Sequence, residues 1–294
     1  MLIGALEAGG TKMVCAVGRE DGTILDRISI PTETPEITMP KLISFFQKYE
    51  PDALGIGTFG PADLNEQSPT YGHITTTPKL AWRNYNIKGA FETALHIPVG
   101  FDTDVNAACL GEATFGCMQD VSNGIYITIG TGVGVGVMIN RQLLHGMQHP
   151  EGGHILLEKN PLDSFSGCCP YHSCCLEGLA AGPAIEKRHG KKAFELTDIP
   201  EVWELEAEYI AKALVNYILI LSPERIVLGG GVMHQEQLFP LIRKKTSELL
   251  NGYIHTKQLT DIDTYIIPPS LNDNQGILGC IKLGLDALSN PVGR

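Results

Sequence analysis

Short apolar runs separated by glycine turns open the chain. LIGALEA, MVCAVG and ILDRISIP each carry the β-branched or alternating residues of a strand. ITMPKLISFFQKYE then repeats its apolar positions at helical spacing, with Thr38 predicted as its cap and Pro40 in its first turn. DALGIGTF behind it reads as a buried strand, and IPVGFDTDVNAACLGEATFG as a strand running directly into a helix. At Asn123-Gly124 the pattern restarts: GIYITIGTGVGVGVMINRQLL is again strand, glycine turn and strand, a loose echo of GALEAGGTKMVCAVG. Farther on, Val202, Leu205, Tyr209, Ala213, Tyr217 and Leu221 form a helix stripe that Ser222-Pro223 stops. RIVLGGGVM is a strand entering a glycine turn, and NQGILGCIKLGLDAL a last helix.

This order predicts an α/β fold of two lobes around a cleft. The first lobe is expected over residues 1–120 and the second over 121–294, with an inserted loop at 154–177. The last helix, about residues 273–290, is free to pack back on the first lobe. A chain of 294 residues that is 43% hydrophobic can bury a substantial core. Its net charge of -11 argues against nucleic acid or an anionic membrane as partner, since both need clustered Lys and Arg. MLIGALEAGG lacks a basic leader segment and ALVNYILIL is too short to span a bilayer, so a cytoplasmic location is expected. In that reducing compartment clustered cysteines serve metals more often than disulfides.

Three glycine turns follow apolar strands: Gly9-Gly10-Thr11, Gly130-Thr131-Gly132 and Gly229-Gly230-Gly231. Glycine lets backbone N–H groups approach an anion, and the threonines add hydroxyl donors, so the turns suit phosphates. One such turn alone is ordinary hairpin geometry. None matches a P-loop or a dinucleotide fingerprint. Asp104 stands where a strand gives way to a helix, as a helix cap or as a carboxylate able to accept a hydroxyl proton. The stretch HPEGGHILLEKNPLDSFSGCCPYHSCCLEG concentrates Cys and His in one segment.

Together these residues resemble the ROK family of sugar kinases, a branch of the actin-like ATPase (ribonuclease H-like) fold. The run IGTGVGVGVMINRQLLHGMQHPEGGH follows that family's signature through Gly132, Gly134, Gly136, Gly146, Pro150, Gly153 and His154. EAGGTK, GIGTFGP, DTDVNAACLGE, CLEGLAAGPAI and LGGGV extend the likeness over nearly the whole chain. Within the family it looks most like the bacterial zinc-containing fructokinases, on Glu7, Thr103, TTTPKLAW and the Cys-Pro-Tyr-His loop.

The resemblance implies an ATP-dependent hexose kinase that phosphorylates the 6-hydroxyl of fructose. It makes Asp104 the catalytic base and Gly60, Pro61, Thr103, Glu151, His154 and Glu177 the sugar site. ATP falls to the three glycine turns with Lys12, Gly182 and Pro183. Mg2+ is implied as the phosphate bridge, a homodimer as the assembly, and His154, Cys169, His172 and Cys175 as ligands of a structural Zn2+. One ring nitrogen of His154 would hold the metal and the other a sugar hydroxyl.

Cys168 and Cys174 depart from the family pattern, leave the ligand register open by one residue, and allow a redox switch as an alternative. Cys15, Cys109, Cys117 and Cys280 are expected in the core, His96, His189 and His255 at the surface, and Trp82 near the sugar. Mannose, glucose or an amino sugar are the alternative substrates. A non-catalytic sugar-sensing regulator is the alternative of another class, disfavoured because repressor relatives add an N-terminal helix-turn-helix whereas a strand is expected here from Leu2.

Overall fold

The computed structural model describes residues 1–289, so Asn290 and the expected end of the second lobe at 294 lie outside the described residues. Strands Leu2–Ala8 (β1) and Lys12–Arg19 (β2) pair antiparallel across the first glycine turn, with Ala8 opposite Met13. Ile24–Pro31 (β3) extends the meander. The helix that follows, Pro35–Tyr49 (α1), starts earlier than its sequence suggests: its N-cap is Thr34 and Pro35 takes the first turn. A proline suits either first turn because its missing N–H is unpaired there anyway. Thr38 is therefore inside the helix, where its hydroxyl accepts from the Glu33 N–H at 3.0 Å.

Ala53–Thr58 (β4) runs parallel to β1. A small ribbon of His73–Ile74 (β5) and Tyr85–Asn86 (β6) leads into Ile87–Leu95 (α2), Val99–Thr103 (β7) and Asp104–Phe115 (α3). The first sheet has the order β3-β2-β1-β4-β7.

Gly124–Ile129 (β8), Val133–Ile139 (β9) and Gln142–Leu143 (β10) begin a second sheet. Helices Leu176–Ala180 (α4), Gly182–His189 (α5) and Pro200–Leu221 (α6) precede Arg225–Gly229 (β11), which lies parallel to β8. Leu238–Leu250 (α7), Lys257–Thr260 (α8), Ile262–Tyr265 (α9), Ile266–Ile267 (β12) and Gln275–Ser289 (α10) complete the chain. The second sheet has the order β10-β9-β8-β11-β12. Both sheets join a parallel pair to an antiparallel meander, the repeated design that the glycine pattern announces.

The chain forms two compact units. One comprises Met1–Asp120, Leu143–His149 and the chain from Ser270; the other comprises Val121–Gln142 and Pro150–Pro269. In the first, α1 and α2 cover one face of the sheet through Leu42, Phe46 and Phe91, while α10 covers the other through Ile277, Cys280 and Ile281. The contact of α10 with α3 is very close: a Cβ at Gly279 would lie 1.6 Å from the Ala107 carbonyl oxygen. In the second unit, Tyr209, Ala213 and Tyr217 of the α6 stripe are buried against the sheet, and Ser222 ends the helix in the left-handed conformation.

Two side chains lie elsewhere than their sequence suggests. Trp82 belongs to the first core, 1% exposed, with its indole N–H donating to the Glu33 carbonyl at 2.7 Å. Apolar packing against Phe59 and Tyr85, with that one polar tip satisfied, accounts for its place and removes it from the sugar candidates. Cys117 is half-buried in the turn after α3, where its thiol donates to Glu112 at 3.1 Å. No disulfide forms among the described residues, and none of the described helices is long and apolar enough to cross a membrane.

Candidate active site

In the first unit, β7 brings Asp102, Thr103 and Asp104 to the edge where α3 starts. Thr103 is the N-cap: its backbone is extended and its hydroxyl accepts from the Asn106 N–H at 3.2 Å. Asp104 is therefore not the cap. It occupies the first helical position, half-buried, and its Oδ1 accepts from the Val105 N–H at 2.8 Å.

Beside it Asp102 is 2% exposed. Its Oδ1 accepts from the Thr103 N–H and the Asn106 side-chain amide, each at 2.7 Å. Its Oδ2 faces Nε2 of His145 at 2.8 Å. Hydrogen bonding to Asp102 raises the His145 pKa above the ordinary imidazole value, against the opposing effect of its burial.

Gly60 and Pro61 follow β4 through a cis peptide bond. The Pro61 carbonyl accepts from the Thr75 N–H at 2.8 Å. The next residue, Ala62, donates its N–H to Nε2 of buried His149 at 3.4 Å. Ala62, Asp63, Glu66, Thr75 and His145 line a cavity of about 340 Å³. The first glycine turn is held by a Gly9 N–H to Lys12 carbonyl bond of 3.1 Å, leaving Thr11 and Lys12 exposed.

In the second unit two glycine turns converge. Gly130, Thr131, Gly182, Pro183 and Gly231 line a cavity of about 430 Å³. The Gly182 N–H donates to the Gly130 carbonyl at 2.8 Å, joining the start of α5 to the β8–β9 turn. Gly230 has φ +90°, and a Cβ there would lie 2.5 Å from the Ile129 carbonyl oxygen, so this turn requires glycine. The cavity is completed by Glu186, Lys192 and Phe194, which sequence reading missed because EKRHGKKAFE carries no motif.

The Cys/His stretch gathers one donor from each of His154, Cys169, His172 and Cys175 within 4.8 Å of one another. Nδ1 of His154 lies 3.8 Å from the Cys169 sulfur and 3.7 Å from the Cys175 sulfur, and Nδ1 of His172 lies 3.7 Å from Cys169. A tetrahedral zinc with bonds of about 2.3 Å to sulfur and about 2.1 Å to nitrogen would separate such donors by roughly 3.6–3.8 Å. The donor set fits that ion.

Of the neighbouring cysteines, Cys174 packs against the core of the unit and Cys168 donates its backbone N–H to the Gly178 carbonyl at 2.9 Å. Nε2 of His154 points to the other side, 3.9 Å from Glu177 Oε1. Glu177 is fixed in turn by the Val133 N–H, which donates to its Oε2 at 3.0 Å. Glu151, three residues before His154, is exposed.

The ROK family model matches residues 3–287. The chain belongs to the ROK family. It is 48% identical to a fructokinase of Pediococcus pentosaceus, over 99% of this chain and 100% of that protein. It is 42% identical to a fructokinase of Streptococcus mutans serotype c, over 99% of this chain and 98% of that one. Among solved structures, the ROK hexokinase from Thermus thermophilus is similar with a TM-score of 0.82 and 26% identity, over 99% of this chain and 100% of that one. The ROK kinases have the actin-like ATPase fold, and this chain shares it.

Proposed function

We propose that the protein is an ATP-dependent fructokinase that transfers the γ-phosphoryl group of ATP to the 6-hydroxyl of D-fructose, giving fructose 6-phosphate and ADP. The observation that carries this reading is the 48% identity to a fructokinase along 99% of the chain. Asp104 is assigned as the base. As the bond between fructose O6 and the γ-phosphorus forms and the bond to the β–γ bridging oxygen breaks, the hydroxyl proton passes to the Asp104 carboxylate. Phosphoryl transfer has a loose transition state, so alignment of the hydroxyl and neutralisation of phosphate charge supply most of the acceleration.

Gly60, Pro61, Thr103, Glu151, His154 and Glu177 are assigned to the sugar. Gly9, Gly10, Thr11, Lys12, Gly130, Thr131, Gly132, Gly182, Pro183, Gly229, Gly230 and Gly231 are assigned to ATP, which enters with Mg2+. The cavity of about 430 Å³ at two of the glycine turns supports the nucleotide assignment.

A structural zinc is assigned to His154, Cys169, His172 and Cys175, supported by donor separations of 3.7–3.8 Å. It would tie the loop before α4 to His154, so that the Nε2 side of the ring and Glu177 keep their mutual orientation. The family resemblance extends the reading to a cytoplasmic homodimer, which sedimentation of the purified protein tests.

The deciding experiment measures ADP release with MgATP and fructose, mannose, glucose or N-acetylmannosamine, with zinc content determined on the same sample. Fructose-dependent release with about one zinc per chain is expected. Release that follows another hexose removes the fructose assignment and keeps the kinase. No sugar-dependent release from folded, zinc-loaded protein removes both.

A further inference from the structure

We infer that His145 and Asp102 form a charged latch that positions the proposed base, so that turnover depends on a protonated His145. The inference rests on the reading of Asp104 as the base, two residues beyond Asp102 in the chain. The Leu143–His149 segment belongs to the first unit although the chain on either side of it belongs to the second. Two histidines fasten it there. Nε2 of His149 receives the Ala62 N–H at 3.4 Å, and Nε2 of His145 meets Asp102 at 2.8 Å.

Asp102 is a buried carboxylate whose Oδ1 is already occupied by two donors from the turn that carries Asp104. Through those bonds the carboxylate fixes the start of α3. Its Oδ2 meets the ring of His145, whose side chain remains 42% exposed. A buried charge needs a partner, and the imidazolium supplies it with an N–H donated to the carboxylate.

Glu66 adds a second negative charge that favours the imidazolium, and Asp63 is a further carboxylate in the wall of the same cavity. The other polar groups that line the cavity with His145, namely Asn65, Thr75 and Gln148, are neutral. The charges around His145 therefore all favour its protonated form, in keeping with the raised pKa of the ring. Deprotonation leaves Asp102 with a weaker, neutral partner. The Asp102–Thr103–Asp104 turn then loses its charged tether, and a displacement of the base by a fraction of an ångström lowers turnover.

The test compares the wild-type enzyme with His145→Gln and His145→Ala. The kcat for fructose and the KM for MgATP are measured from pH 6 to 9, and the His145 ring is titrated by NMR in the intact protein, assigned by its loss in the variants. The expected wild-type kcat falls as pH rises through the midpoint at which His145 titrates, above the ordinary value of about 6.5. His145→Gln keeps a neutral N–H donor and flattens that fall. His145→Ala loses about tenfold in kcat across the range while the MgATP KM stays within about twofold.

A His145 resonance that titrates at or below the ordinary imidazole value overturns the latch. So does a His145→Ala enzyme with wild-type kcat and an unchanged alkaline fall. Failure of the base assignment is read separately, from the activity of Asp104→Asn, whereas the titration of His145 in the wild type reports the pair itself.

Discussion

At the scale of single residues, the decisive detail is which side chain caps α3. Thr103 takes the capping bond with the Asn106 N–H, so the carboxylate next to it has no need to serve as the cap. Asp104→Asn keeps the shape of the side chain and removes its basicity. It should lower kcat by roughly 10²- to 10⁴-fold, the contribution of a positioned base, with the fructose KM changed no more than a few-fold. Steady-state kinetics with saturating MgATP measure both, and a variant that keeps more than about a tenth of the activity would remove Asp104 from this role. Asp104 was legible in the sequence because strand and helix signals meet at it. Its supporting pair was not, because Asp102 and His145 are 43 residues apart and nothing in either local pattern requires the other. The one available hint was a carboxylate directly after the apolar positions Val99 and Phe101 of a buried strand, which demands a partner without naming it. Trp82 shows the converse: a lone aromatic in a loop looks available for a ligand until the fold buries it.

At the scale of elements, strands and helices with a clear apolar period were readable, and boundaries depended on competition between similar signals. The start of α1 moved to Pro35 because two prolines offered themselves for one first turn. The segment from His154 to α4 had no period to read, and its order comes from side-chain chemistry instead. Between residues 155 and 174 Leu157 is the only buried hydrophobic residue, whereas Leu156, Leu162 and Tyr171 are exposed. A loop with so little core needs cross-links, and the four gathered donors can provide them through one ion. Removing the metal with a chelator, or one donor through Cys169→Ser, should release about one zinc per chain and open the loop to protease. The fructose KM should rise more than the MgATP KM, since Glu177 and His154 are assigned to the sugar. Limited proteolysis with mass spectrometry locates the cleavage. A loop equally resistant with and without metal would show that packing alone holds it.

At the scale of the whole molecule, three buried hydrophobic clusters and a net charge of -11 set how stability responds to pH. Most carboxylates here lie at the surface, but Glu206 on α6 is 1% exposed, and neither of its oxygens finds a hydrogen-bond partner among the described residues. Burial pushes its pKa well above the ordinary carboxylate value, with nearby Arg188 opposing the shift. The nearly buried guanidinium of Arg188 is shared by the Leu179 carbonyl at 2.8 Å and Asp163 at 3.3 Å. A carboxylate whose folded pKa is raised binds its proton more tightly in the native state. The contribution of Glu206 to native stability is therefore most favourable below the unfolded value and declines as pH rises from there toward the folded pKa. Replacing Glu206 with Gln removes the titration while keeping the shape. The variant should melt roughly 2 °C or more above the wild type at pH 8, the shift that about 1 kcal/mol produces in a domain of more than 150 residues. That advantage should shrink steadily as pH is lowered toward the ordinary carboxylate value, where the wild-type side chain is neutral in both states. Calorimetric melting of both proteins at several pH values decides it. A gap that stays constant with pH would mean that Glu206 keeps its proton, or loses it, equally in the folded and unfolded chain.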